Sequence, residues 1–403
     1  MMKEISAKLA IDGGTPIRTS VLPYGHHFID EDDIAAVVEV LCSDWLTTGP
    51  KIAEFEEAFS QMVGARKAVA VSSGTAALHA AMYAIGIEPG DEVIVPAITF
   101  AATANCVVFQ GGIPIFVDVD KDTLLIDPHQ VEAKISPRTK AIIAVDYAGQ
   151  PCEYDLLREI AQRYGLFLIA DACHALGAKY KGQPVGSLAD VSVFSFHPVK
   201  HITTGEGGMI TTDDERVAHR LRLFRNHGIS TDHHERSLKG SFYYEVVDLG
   251  YNYRLTDFQC ALGLSQLRKL PEFLRRRHIV AERYNQVFSA HPFVEPLVVR
   301  SDVFHSYHLY VVRLHLDRMI TDRAQIFRAL RAEGIGVNVH YLPVYLHPYY
   351  RRLFATKPGL CPVAESMYQR IITLPISAAM TMEDVDDVIL AVDKVTRYYG
   401  RCN

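Results

Sequence analysis

No stretch of this 403-residue chain approaches the roughly 18 unbroken apolar residues that a membrane span needs. The first residues, Met1 to Lys8, lack the long apolar run of a secretory signal, so a cytoplasmic protein is expected. The seven cysteines (42, 106, 152, 173, 260, 361 and 402) are odd in number, scattered, and never spaced Cys-x-x-Cys. That pattern argues against a disulfide framework and a zinc site, and suits reduced thiols. No basic block occurs, and Lys+Arg 41 against Asp+Glu 47 gives a formal charge of −6. Nothing therefore points to nucleic acid or an anionic membrane surface. No Gly-x-Gly-x-x-Gly opens a strand-to-helix turn, which disfavours a nicotinamide oxidoreductase. Internal repeats and low-complexity linkers are also missing. What remains is a composition of 49% hydrophobic and 22% charged residues, that of a globular protein long enough for two domains.

Residues 1–30 read as an irregular lead-in. Asp30 suits the N-cap of a helix reaching Leu41, with Asp33 at the capping-box position. A second amphipathic helix runs from Pro50 to Met62, with Ile52, Phe55 and Phe59 on one face. Between 67 and 213, apolar runs alternate with helical patterns. Strands are expected at 67–72, 92–95, 114–118, 140–145, 167–170, 190–194 and 208–212, with helices near 75–86, 100–110, 128–134 and 153–164. Such alternation predicts an α/β fold with a largely parallel sheet covered on both faces, binding its ligand at the carboxyl ends of the strands. After 250 the pattern changes: a long helix over 255–289, a strand at 307–315, a helix at 322–333, a strand at 336–341 and a helix at 383–399. The expected division is a large domain over 1–250 and a smaller α+β domain over 251–403.

The most informative stretch is Val191 to Gly208. An apolar strand meets a turn punctuated by Pro198, one lysine follows at Lys200, and a Thr-Thr-Gly-Glu-Gly-Gly loop leads to a second apolar strand. A lone lysine walled by apolar residues and glycines is a setting for an amine held as a Schiff base, although a surface lysine on a hairpin has the same local pattern. Ser73, Gly74 and Thr75 open an Ala-rich helix, offering backbone N–H groups and a positive dipole end to a phosphate, or simply capping the helix. Asp171 ends an apolar strand, where a buried carboxylate needs a partner or else caps the next helix. The interval between Asp171 and Lys200 leaves room for one turn and one strand, so both can reach one ligand. Phe100 stands at a strand-to-helix junction, where an aromatic ring stacks on a cofactor or joins the core. His174 and Ser195 are polar groups close to these positions in the chain.

Together, Ser-Gly-Thr, Asp-Ala-x-His-Ala-Leu-Gly-Ala, Ser-Phe-His-x-x-Lys, Gly-Glu-Gly-Gly and Gly250-Tyr251-Asn252-Tyr253-Arg254 resemble the DegT/DnrJ/StrS family of nucleotide-sugar aminotransferases, in that family's order and from about Pro23 to the C-terminal helix. The resemblance implies a pyridoxal-phosphate-dependent transferase of fold type I, like aspartate aminotransferase, working as a homodimer with shared active sites. It gives Lys200 and Asp171 the catalytic roles. Ser73, Gly74, Thr75, Phe100, His174, Ser195 and Asn252 would also contact pyridoxal 5'-phosphate, Asn252 reaching the other subunit's phosphate. The family usually has Gln where this chain has His174, and often Asn at His201. These departures, with Val145-Asp146-Tyr147-Ala148-Gly149 and the segment around His340, look like the pseudaminic-acid branch. By that likeness Tyr24, Asp44, Trp45, Leu46, Thr47, His340, Tyr341, Leu342 and Pro343 would line the sugar-nucleotide site. Asp44 to Thr47 read equally as a helix-ending turn, and Trp45 as a core plug. The implied reaction converts UDP-2-acetamido-2,6-dideoxy-β-L-arabino-hex-4-ulose to the 4-amino sugar with L-glutamate as donor. Another 4-keto-6-deoxy sugar, a sugar dehydratase on the same fold, and a non-catalytic homologue are the alternatives. Lys200 counts against the dehydratases that carry histidine there, and the presence of both Lys200 and Asp171 counts against the last.

Overall fold

Seven short apolar runs become one sheet in the computed structural model, which describes residues 8–231 and 240–401. The strands are β1 (Lys67–Val71), β2 (Glu92–Pro96), β3 (Ile113–Val117), β4 (Thr139–Val145), β5 (Phe167–Asp171), β6 (Val191–Ser195) and β7 (Gly208–Thr212). Their spatial order is β1-β7-β6-β5-β4-β2-β3. β2 to β6 pair in parallel, and β7 runs antiparallel to both β1 and β6. The cause of that reversal is local. Residues 196–207, between β6 and β7, hold no helix, and a chain without a crossover element returns antiparallel. Lys200 lies in this connection.

Helices α1 (Glu31–Leu41), α2 (Pro50–Val63), α3 (Gly74–Ala84), α4 (Ala101–Phe109), α5 (Tyr154–Tyr164), α6 (Glu215–Arg225) and α7 (Asp257–Phe288) flank the sheet. The expected cap on α1 is present: the Asp30 carboxylate accepts from the Asp32 and Asp33 N–H groups, and Asp33 accepts from the Asp30 N–H. Phe55 and Phe59 of α2 are fully buried, as their spacing predicts. α7 crosses close over α2 because residue 263 is glycine; a Cβ there would stand 2.6 Å from the Phe55 ring.

A second apolar cluster forms around β8 (Val294–Pro296), β9 (Tyr310–Leu314) and β10 (Ile371–Leu374), an antiparallel sheet, with α8 (Arg323–Ala332) and, near the C-terminus, a helix at Met382–Tyr398. α7 contributes to both clusters: Cys260, Leu267 and Leu270 belong to the first, Val280, Tyr284 and Phe288 to the second. Leu9, from the lead-in, packs into the second cluster. A buried Lys394–Glu333 pair ties the lead-in down there, Glu333 accepting from the Ala10 and Ile17 N–H groups.

The strand expected at 336–341 does not form. Asn338 exchanges two backbone hydrogen bonds with Thr373, and the chain then leaves for the main sheet, where the Val344 N–H donates to the Ala97 carbonyl. The helices Glu215–Arg225, Pro348–Phe354 and Pro362–Tyr368 and the strands β8 and β10 were not expected from the sequence.

Candidate active site

Parallel pairing of β5 with β4 and β6 brings the carboxyl ends of these strands to one edge. Asp171 ends β5 and is 5% exposed. Its Oδ2 accepts from the Thr103 hydroxyl at 2.7 Å, and its Oδ1 accepts from the Cys173 N–H at 3.3 Å. Thr103, in the first turn of α4, pairs at 2.7 Å with Thr99 just before that helix, both hydroxyls buried. A carboxylate this enclosed keeps its charge only against hydrogen-bond donors or a positive partner.

Lys200 follows β6 and is half-buried, its Nζ 3.4 Å from His308 Nε2. Burial pulls the lysine amine below its ordinary pKa, while the charges of Cys173 and Asp171 push it up and that of Arg277 lowers it further. His174 is buried, with its ring centroid 4.3 Å from that of His308 and its Nε2 3.2 Å from the Tyr341 hydroxyl. Burial holds His174, His201 and His308 well below the usual histidine pKa, so all three rings are neutral. His340 is lowered to about 3 by the same cause. His174 Nδ1 is buried with no hydrogen-bond partner. An orphaned ring nitrogen here fits a ligand hydroxyl.

Ser73 caps α3 by accepting the Ala76 N–H at 3.0 Å, and Thr75 in the first turn is exposed. A Cβ on Gly74 would lie 2.9 Å from Ser195 Cβ and 3.3 Å from Cys173 Sγ. Only glycine lets the α3 N-terminus come that close to the ends of β5 and β6. Helix N–H groups and the Ser195 hydroxyl thereby share one corner, an arrangement suited to a phosphate. Phe100 is 58% exposed, its ring 6.0 Å from that of Tyr341. The Tyr24 ring lies 5.3 Å from His340, and His340 Nδ1 is 2.8 Å from the Thr373 hydroxyl. Leu342 is half-buried and Pro343 buried on the same segment.

Two predicted groups are exposed on this chain. Asp44 to Thr47 are exposed and pack on the start of α7: the Leu46 carbonyl accepts from the Asp257 N–H at 3.0 Å, and Thr47 bridges to Thr256. Trp45 is 43% exposed and so does not plug the core. Asn252 is exposed and pairs with Asn226, while the next residue, Tyr253, accepts the Ser72 N–H at 2.8 Å. Sequence reasoning missed Thr103, Arg277 and, above all, His308. Their only signal is tertiary.

The DegT/DnrJ/EryC1/StrS aminotransferase family model matches residues 27–393. The chain belongs to this family. The spore coat polysaccharide biosynthesis protein SpsC of Bacillus subtilis is 43% identical over 382 residues, 94% of this chain and 98% of that protein. Among solved structures, Helicobacter pylori PseC, an aminotransferase involved in pseudaminic acid biosynthesis, superposes with a TM-score of 0.88 at 35% identity, covering 94% of this chain and all of that one. The sugar aminotransferase Spr1654 of Streptococcus pneumoniae, known in PLP and PMP forms, superposes at TM-scores of 0.86 and 0.87 with 34% identity, the PLP form covering 94% of this chain and 99% of its own. This family member is a sugar aminotransferase dependent on pyridoxal phosphate, with the α/β fold expected. The lysine–aspartate pair, the α3 N-terminus beside Ser195 and the orphaned His174 nitrogen all fit that cofactor. No helix among the described residues is long and apolar enough to cross a membrane.

Proposed function

We propose that this sugar aminotransferase aminates C4 of UDP-2-acetamido-2,6-dideoxy-β-L-arabino-hexos-4-ulose, taking the amino group from L-glutamate, as a cytoplasmic step toward pseudaminic acid. The observation that carries the reading is buried Asp171 and half-buried Lys200 at the strand ends, with His174 bonded to Tyr341 and His340 close by. Pyridoxal phosphate, when bound, supplies the electron sink for moving an amino group between the donor and a keto carbon. Lys200 would supply the amine that holds the cofactor and, once released, would move the proton. The negative charge of Asp171 would favour a protonated pyridine nitrogen. Ser73, Gly74, Thr75 and Ser195 would hold the phosphate, with His174 Nδ1 available to a ring hydroxyl and Phe100 to a ring face. Tyr24 and the His340–Pro343 segment form the sugar side.

Residues 1–250 make the cofactor domain in this reading and 251–403 the smaller one. The protein is a homodimer in which Asn252 completes the partner's phosphate site and Asp44 to Thr47 face the partner's sugar site. Two features support this: Asn252 and Trp45 stand exposed, and Phe242, Val246 and Leu249, close to Asn252 in the chain, are 92%, 66% and 72% exposed. Apolar side chains so concentrated on a surface call for a cover.

A second reading, amination of a different nucleotide-linked 4-keto-6-deoxy sugar, is favoured by the higher identity to SpsC. The deciding experiment compares kcat/KM for the named sugar, its D-xylo C5 epimer, and dTDP-4-keto-6-deoxyglucose, which lacks the acetamido group. The reading requires the first to be preferred by about tenfold or more, since a site built to bond a polar substituent rejects analogues that lack it. Preference for either rival moves the enzyme to another sugar.

A further inference from the structure

Lys200 is met from across the molecule by a histidine. His308, just before β9, is 4% exposed, and its Nε2 is the hydrogen-bond partner of Lys200 Nζ at 3.4 Å. The arch that carries it is pinned at several points. The Ser306 N–H donates to the Gly149 carbonyl at 2.9 Å, the Ser306 hydroxyl donates to the His174 carbonyl at 3.0 Å, and the Leu309 N–H donates to the Ala148 carbonyl at 3.1 Å. Buried Arg277, from the middle of α7, donates to the Tyr307 and His308 carbonyls at 3.0 and 3.4 Å. Tyr307 itself sits at φ +50°, a left-handed conformation that a bulky residue keeps only where its surroundings over-determine it.

The ring is not there as filler. His308 Nδ1 is buried without a partner, a cost that an apolar side chain of the same size would avoid. Where Nζ is an ammonium, which carries donors only, Nε2 accepts and the ring proton sits on Nδ1. The other groups facing the amine are Asp171 and Cys173 at the end of β5, Arg277 of α7, and the neutral rings of His174, His201 and His340.

We propose that His308 is a positioning residue for Lys200: its neutral ring accepts a hydrogen bond from Nζ and fixes that nitrogen whenever it carries no covalent partner. The inference rests on Lys200 being the cofactor lysine. The test uses cofactor-free enzyme, trace-labelled with acetic anhydride across a pH series, with labelling of Lys200 read by peptide mass spectrometry against exposed Lys357. Removing an acceptor that favours the ammonium, in His308→Leu, lowers the midpoint pH of Lys200 labelling by about one unit, the tenfold change a charge-assisted hydrogen bond brings. His308→Gln, which keeps an acceptor oxygen, restores it. In the loaded enzyme the Leu variant loses kcat with KM for the sugar unchanged. Should His308→Leu fail to fold, His308→Met carries the same comparison. Coincident midpoints in wild type, apolar variant and His308→Gln overturn the proposal, even where transamination is intact. A shifted midpoint in a protein that transaminates none of the sugars upholds the contact and rejects the proposed substrate instead.

Discussion

Replacing Asp171 by asparagine keeps the size of the side chain and its bonds to Thr103 and Cys173 within reach, but removes the negative charge. An amide cannot balance a pyridinium, so the barrier to proton transfer rises. We expect kcat to fall on the order of a hundredfold or more, about 2.7 kcal/mol, in fully cofactor-loaded Asp171→Asn protein. A near-normal kcat would remove Asp171 from the chemistry. Asp146 gives a second test at this scale. Its carboxyl is fully enclosed, and burial pushes its pKa from 3.8 up to about 7 against the opposing bonds from Tyr154 and the Cys152 N–H. The folded protein then binds the proton more tightly than the unfolded chain. The stability this contributes is present below about pH 4 and is lost as pH rises through about 7. Wild type should therefore lose Tm between about pH 5 and pH 8 relative to Asp146→Asn; parallel curves would contradict the shift. The placement of Lys200 and Asp171 at neighbouring strand ends was legible because their signals are local, a strand end and a glycine-rich turn. His308 was not, because it meets Lys200 across 108 positions of sequence and nothing in its own neighbourhood announces it.

The strands β1 to β7 and the helices α1 to α4 follow from period and punctuation, α1 through its Asp30 cap rather than through burial of its apolar residues. Apart from the eleven-residue helix α6, the elements that failed are short or irregular. β8 has three residues and β10 four, too few for alternation to register, and 336–341 looks apolar enough for a strand but spends only one residue pair on pairing. α7 tests how packing and propensity compete. Gly263→Ala gains up to about 1 kcal/mol of helix propensity, yet the new methyl meets Phe55 and overpacks a buried site, which costs about 1–3 kcal/mol. The packing term wins, so Tm should fall on substitution. A rise in Tm would mean that α7 and α2 separate freely.

At the scale of the whole molecule, the proposed homodimer would cover the exposed Asn252, the Asp44–Thr47 turn and the apolar Phe242–Leu249 segment. Mixing inactive Lys200→Ala with weakened Asn252→Ala protein should regenerate some wild-type sites in the heterodimer, because one site then inherits neither lesion. Light scattering that finds an active monomer at assay concentration would refute sharing. The proposal of a shared site comes from the family resemblance, and exposure of one asparagine adds little to it alone. Beneath all of this lies the assignment of one lysine. Borohydride reduction of the purified, cofactor-loaded enzyme, followed by peptide mapping, should place the pyridoxyl adduct on Lys200 and leave Lys200→Ala unlabelled. An adduct on any other lysine would contradict the account.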